Sequence, residues 1–309
     1  MRYRYLFGPI SSRRLGMSLG IDVIPYKTCT LDCVYCECGP TTDLTVQRQQ
    51  YVAPEDVIEE LDDYLSTHPD LDYITFSGSG EPTLYRGIAE IVAFIRQFYP
   101  MYKTALLTNG TLLSDSEVRE EIMDIDLILP SFDAGSMASF RAINRPHPSL
   151  DIEDLKQGIK ALRKEYAGTL WLEVFIVPGI NDSEDELDLL RDEISSFGAD
   201  MVYVNTLDRP GAESWVRKVP PEKLKDLSAH IAHKSAITHL EENVTTPVDE
   251  KTCGAILSLI GKRPRTATDI SSSLQIDMAS TTACLDRLMD SGKVSSELRG
   301  MNLIFMIRK

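Results

Sequence analysis

Four of the chain's six cysteines, Cys29, Cys33, Cys36 and Cys38, fall within ten residues. The spacing Cys29-x3-Cys33-x2-Cys36 puts three thiols on one short segment flanked by Thr28 and Thr30, and thiolates are ligands for soft metals. An iron–sulfur cube has four irons, and four cysteines normally saturate it. Three ligands leave one iron open, the logic of a catalytic site rather than a closed structural one. A small molecule offering an amine and a carboxylate could chelate that iron. A zinc ribbon would need a second Cys or His pair, but Cys253 and Cys284 stand far from each other in the chain. The histidines at 68, 147, 230, 233 and 239 are equally scattered. Cys33-x2-Cys36 has no thioredoxin-like surroundings, and Cys38 is either a spare ligand or a small, partly buried thiol. Six cysteines in 309 residues are too few for a disulfide scaffold and fit a reducing compartment.

Three further turns carry residues suited to a ligand. Phe76-Ser77-Gly78-Ser79-Gly80-Glu81-Pro82-Thr83 has two glycines that let backbone groups approach a bound molecule closely. Leu107-Thr108-Asn109-Gly110 offers Asn109, either as a ligand or only as a tight-turn residue. Ser131 and Asp133 could hydrogen-bond a ribose diol or a charged ligand end, and Asp133 could instead cap a helix. No Ser-His-Asp order, nucleophile elbow or P-loop is present.

These turns are placed by a regular alternation of elements. β-rich runs at Leu19–Ile24, Tyr73–Phe76, Thr104–Thr108, Leu127–Ser131, Leu170–Val177 and Met201–Thr206 predict six strands. Helix-start signals stand between them at Pro54-Glu55-Asp56, Ser114-Asp115, Asp151-Ile152-Glu153 and Asn181-Asp182-Ser183. Such alternation calls for an α/β fold with a parallel sheet, either a partial (βα)6 barrel or an open doubly wound sheet. Ligands gather at the C-terminal strand ends of both. Residues 1–215 form this core, and 216–250 read as a helical extension and linker, with a helix near Glu222–His233 and a polar stretch to Pro247. Residues 251–309 predict three helices, a cap at Gly292 and a β-hairpin, the pattern of a small C-terminal winged helix-turn-helix domain.

Charge marks the same boundary. From Lys251 onward 9 basic residues face 5 acids, whereas the whole chain carries a formal charge of −15. The basic tail and the hydroxyls of Ser280, Thr281 and Thr282 suit RNA or DNA contact, while Asp277, Asp286 and Asp290 oppose it and leave protein docking open. No apolar run reaches the roughly 20 residues that span a bilayer, and the first residues lack a leader pattern. A cytoplasmic protein without membrane contact is expected.

Written out, Cys-Thr-Leu-Asp-Cys-Val-Tyr-Cys resembles the signature loop of the radical S-adenosylmethionine (SAM) superfamily, including the aromatic Tyr35 before the third cysteine. The resemblance implies one [4Fe–4S] cluster on Cys29, Cys33 and Cys36, with SAM on its unique iron. It implies reductive cleavage to a 5′-deoxyadenosyl radical, fed by a one-electron donor such as ferredoxin or flavodoxin. It also places Tyr35, Gly78, Ser79, Gly80, Glu81, Asn109, Ser131 and Asp133 around SAM. Phe7–Gly16, Leu19-Gly20-Ile21-Asp22, Lys27-Thr28-Cys29, Asn144-Arg145-Pro146 and Asn205–Pro210 are similar to a group related to the tRNA wyosine-base synthetases. Those enzymes carry a second cluster on upstream cysteines, and no cysteine precedes Cys29 here. The Arg13-Arg14 pair either contacts an anionic group or serves solubility. Two function classes remain: an enzyme modifying RNA, protein or a small metabolite, and a cluster-based redox sensor or regulator acting through the winged helix.

Overall fold

Near-continuous apolar runs such as Leu127-Ile128-Leu129 are what a parallel sheet covered on both faces requires, and all three residues are buried. The computed structural model describes residues 3–308 except 13, 209, 232–235, 240–249, 263, 275, 277, 300 and 301. The chain divides into two units, one spanning Tyr5–Leu240 and the other Glu241–Lys309 together with Met1–Arg4.

In chain order the larger unit runs β1 (Leu6–Ser12), β2 (Gly16–Ile21), β3 (Thr28–Cys29), β4 (Asp43–Leu44), α1 (Pro54–Leu65), β5 (Tyr73–Phe76) and α2 (Ile88–Phe98). It continues with β6 (Lys103–Thr108), α3 (Ser116–Ile122), β7 (Leu127–Pro130), α4 (Met137–Ile143), α5 (Ile152–Glu165) and β8 (Thr169–Phe175). It closes with α6 (Glu184–Phe197), β9 (Met201–Asn205), α7 (Pro221–Ile231) and β10 (Ala236–His239). One sheet has the order β1-β2-β5-β6-β7-β8-β9-β10, parallel throughout except for the β1–β2 pair. Its edges, β1 and β10, do not pair with each other, so the barrel is not closed.

All six predicted strands are present, and the start signals work as caps. Asp115, Asp151 and Ser183 each accept a hydrogen bond from a first-turn N–H of α3, α5 and α6, and Pro54 opens α1. In residues 216–250 the helix expected near Glu222–His233 is α7, and beyond it lies a strand that was not expected, β10, which pairs with β9. The polar stretch ending at Pro247, together with Arg13 and Arg209, lies outside the described residues.

The β1–β2 turn reaches across one face of the sheet. Leu15 packs with Ala105 of β6 and Leu127 of β7, and Arg14 donates to Glu173 of β8. Three strands, β5, β6 and β7, separate β2 from β8 in the sheet order, and this contact spans them. Arg14 is thus neither a solvated surface charge nor a free anion receptor; it is half of an internal ion pair.

The smaller unit holds α8 (Glu250–Lys262), α9 (Ala267–Leu274), α10 (Met278–Asp290) and an antiparallel hairpin, β11 (Val294–Arg299) with β12 (Asn302–Ile307). Gly292, at φ 69°, occupies the left-handed position expected after α10. Ile256, Ile260, Ile270, Leu285, Leu288, Val294 and Phe305 form its core. Cys253 and Cys284, distant in sequence, meet inside that core with their Sγ atoms 3.1 Å apart. Among the described residues no helix is long and apolar enough to cross a membrane.

Asn181 ties the strand ends together. Its buried amide donates to the carbonyls of Asp133 and Phe175 and accepts from the Val177 N–H, each at 2.8 Å. Asn181→Ala leaves these groups unpaired, and denaturant unfolding should lose about 2–4 kcal/mol. A loss well under 1 kcal/mol would contradict this role.

Candidate functional site

The backbone of the cysteine segment is held from several sides. The Glu81 N–H donates to the Thr28 carbonyl at 3.2 Å, and the Thr45 N–H to the Cys29 carbonyl at 3.0 Å. Asp32 and Val34 donate to the carbonyls of Asn144 and Ile143, both at 2.9 Å, and His147 donates to the Thr30 carbonyl. The Glu213 N–H reaches the Val34 carbonyl at 3.0 Å. Gly80 is required by close approach, since a Cβ there would sit 2.2 Å from the Thr28 carbonyl oxygen. A segment pinned in this way presents its side chains in one arrangement.

Each of the three sulfurs receives its own N–H donor. Asn109 Nδ2 lies 3.6 Å from Cys29 Sγ, Asn144 Nδ2 lies 3.4 Å from Cys33 Sγ, and Lys27 Nζ lies 3.0 Å from Cys36 Sγ. Burial pushes the Cys29 thiol up to about 12 and Cys33 well above its ordinary value. Cys36 is held down at about 5, first by a hydrogen bond from Cys38 and, against burial, by Lys27. Cys38 is exposed and is raised by that same bond to Cys36.

This donor set suits a cluster rather than a single ion. Among the described residues no three His, Cys, Asp or Glu side chains are placed to hold one metal ion, the three cysteines included. A cube asks instead for one thiolate per iron. Iron at these sulfurs would deprotonate the thiols and overcome the burial that raises Cys29 and Cys33. The N–H donors are then matched to anionic sulfur.

The turn after β5 backs onto this segment. Ser79 donates to Asp22 Oδ2 from both its N–H and its hydroxyl at 3.0 Å, and a Cβ on Gly78, at φ 143°, would fall 2.2 Å from the Asp22 carboxyl. Glu81 is turned inward. One of its oxygens accepts from Thr83 N, Thr83 Oγ1 and Thr108 Oγ1, and the other accepts from Asn109 N at 2.7 Å. Glu81 therefore positions Asn109, whose amide also donates to Thr30 Oγ1 at 2.8 Å. Burial raises Glu81, against these donors.

Asp133 was expected either at a ribose or as a helix cap, and it caps no helix. Ser136 caps α4. The Asp133 carboxylate accepts from Tyr35 Oη at 2.6 Å, Asn144 Nδ2 at 2.8 Å and Phe175 N at 2.8 Å. Tyr35 stacks flat on Phe175, with ring centroids 3.8 Å apart. Ser131 forms an isolated bridge with Glu173, and its hydroxyl has no partner among the described residues. Beyond it Asn205 donates to Glu173 at 3.0 Å, on the same carboxylate that Arg14 holds. Lys27, Asp22 and Asn144 are the members of this constellation not singled out as site residues. All three lie in the segments quoted for the finer resemblance, which was the signal that could have found them.

Comparison with known proteins is consistent with this arrangement. The family described as the radical SAM superfamily matches residues 23–190. A protein of Brachyspira hyodysenteriae named GTPase Obg is 32% identical over 96% of this chain, which spans only 44% of that protein's length. A UPF0026 protein of Helicobacter pylori is 31% identical, with 85% of each chain covered. Among solved structures, a radical SAM methyltransferase from Sphaerobacter thermophilus aligns with a TM-score of 0.57 and 16% identity, covering 72% of this chain and 66% of its own. That last likeness concerns the fold alone. The reading as a cluster-based regulator gains no support from these matches.

Asp133 makes the site's packing pH-dependent. Burial pushes its carboxyl up to about 6 despite three donors, so the folded protein binds this proton more tightly than the unfolded chain. The stability it contributes is full below pH ~4 and is lost as pH rises through ~6, on the order of 3 kcal/mol. Unfolding of the metal-free protein, measured against Asp133→Asn across this range, should show that loss. A pH-independent difference between the two would contradict it.

Proposed function

The chain belongs to the radical SAM superfamily and to the UPF0026 proteins, and from that premise we propose that Cys29, Cys33 and Cys36 hold its cluster while Cys38 does not. An enzyme of this class uses a [4Fe–4S] cluster and SAM, and the bound cluster supplies the electron that cleaves SAM. The observation that carries the ligand assignment is the one-to-one match of three sulfurs with three N–H donors from separate segments.

The chain's own residues then divide the work. The Gly78–Ser79–Gly80 backbone, held by Asp22, would bind the methionyl end of SAM, and the Ser131 hydroxyl would serve its ribose. Tyr35, fixed between Phe175 and Asp133, walls the cluster loop. Glu81, Asn109 and Asp133 act through the neighbours they hold. A reductant of the ferredoxin or flavodoxin type delivers the electron.

The order of three helices followed by a hairpin in the smaller unit supports a winged helix-turn-helix that docks RNA, DNA or protein. The similarity to the wyosine-base synthetases keeps tRNA beside protein and small metabolites as substrate classes. The single three-cysteine motif departs from those enzymes and counts against the condensation they perform.

Anaerobic reconstitution followed by SAM and dithionite tests the reading. Dithionite-dependent 5′-deoxyadenosine should form, and Cys33→Ala should lose both the product and the visible absorbance. A reconstituted protein that binds SAM but never cleaves it would contradict the proposal. Cys33→Ala retaining the parent's iron would contradict the ligand assignment.

A further inference from the structure

Lys27 is 2% exposed, and its ammonium points at Cys36 Sγ from 3.0 Å. Among the described residues no carboxylate lies within ion-pair distance of it. A buried ammonium without a counter-anion is strongly disfavoured, so its partner must be the charge on Cys36 and whatever Cys36 binds. The geometry fixes it there. Lys27 sits at φ 56°, and its carbonyl accepts from the N–H groups of Thr42 and Asp43 at 3.0 and 3.1 Å.

We propose that Lys27 is the resident counter-cation of the cluster and a positioning residue that raises its reduction potential. Asn109 and Asn144 complete the set as neutral donors to Cys29 and Cys33. This rests on the ligand assignment above. Adding one electron makes the cluster more negative, and a cation beside a ligand sulfur stabilises the reduced form over the oxidised one. N–H donors act in the same direction with only a partial charge. Asn109 and Asn144 are themselves anchored, at Thr30 and Asp133, so each donor is held rather than swinging freely. The one full charge of the trio falls on Cys36, which carries the shortest contact of the three.

An EPR-monitored redox titration of the anaerobically reconstituted protein without SAM reads the effect directly. Lys27→Met should load iron and sulfide as the parent does, while its reduced-to-oxidised ratio at a fixed poise falls about tenfold, or ~59 mV for a one-electron couple. Lys27→Arg should restore the parent's ratio. Lys27→Gln keeps an N–H but loses the charge, so it should fall nearly as far as Lys27→Met and serves as the test if Lys27→Met does not load. Asn109→Ala and Asn144→Ala should shift the ratio in the same direction by a smaller factor. A fully loaded Lys27→Met or Lys27→Gln that titrates with the parent would overturn the proposal. Cys33→Ala tells the two readings apart, because parent-like iron in that variant defeats the ligand assignment itself.

Discussion

Burying three sulfur atoms beside one another is tolerable only if charge and its partners arrive together. Burial first of all raises Cys29 and Cys33 toward the neutral thiol, whereas Cys38 and Lys27 lower Cys36 toward the thiolate. Each neighbouring element answers that constraint. The end of β6 supplies Asn109, the end of α4 supplies Asn144, and the approach to β3 supplies Lys27. The carboxylates of Glu81 and Asp133 do not compete for the sulfurs, because their oxygens are occupied in holding Asn109, Tyr35 and Asn144. The polar groups around the sulfurs thus mostly hold one another.

Much of this was legible in the sequence. Cysteine spacing singled out one segment, and strand–helix alternation placed the turns after β5, β6 and β7 beside it. Short polar residues before apolar runs marked α3, α5 and α6 because they cap those helices. What escaped has physical reasons. α2 begins without a side-chain cap, and α4 has only seven residues, too few to display a helical period. β1 carries Gly8 and Pro9, residues that normally interrupt strands, and survives as the antiparallel edge. Spacing also does not report where a carboxylate points. Asp133 and Glu81 read as ligand-facing, and only the three-dimensional arrangement turns them inward. Lys27 lay in a segment quoted for the finer resemblance, yet nothing in its sequence position reveals that its ammonium is buried.

The smaller unit obeys a different logic. Its core is apolar and holds the Cys253–Cys284 pair, which is too far apart in the chain to be read as a pair. Its surplus of basic residues stands against the acidity of the rest of the sequence.

The central claim is that three cysteines of one pinned segment hold the cluster and leave one iron for SAM. Electron–nuclear double resonance on the reduced protein tests it most directly, with SAM carrying 15N at its amino group and 13C at its carboxylate. Hyperfine coupling of both labels to the cluster spin is the predicted result. Bound SAM with neither label coupled would contradict it.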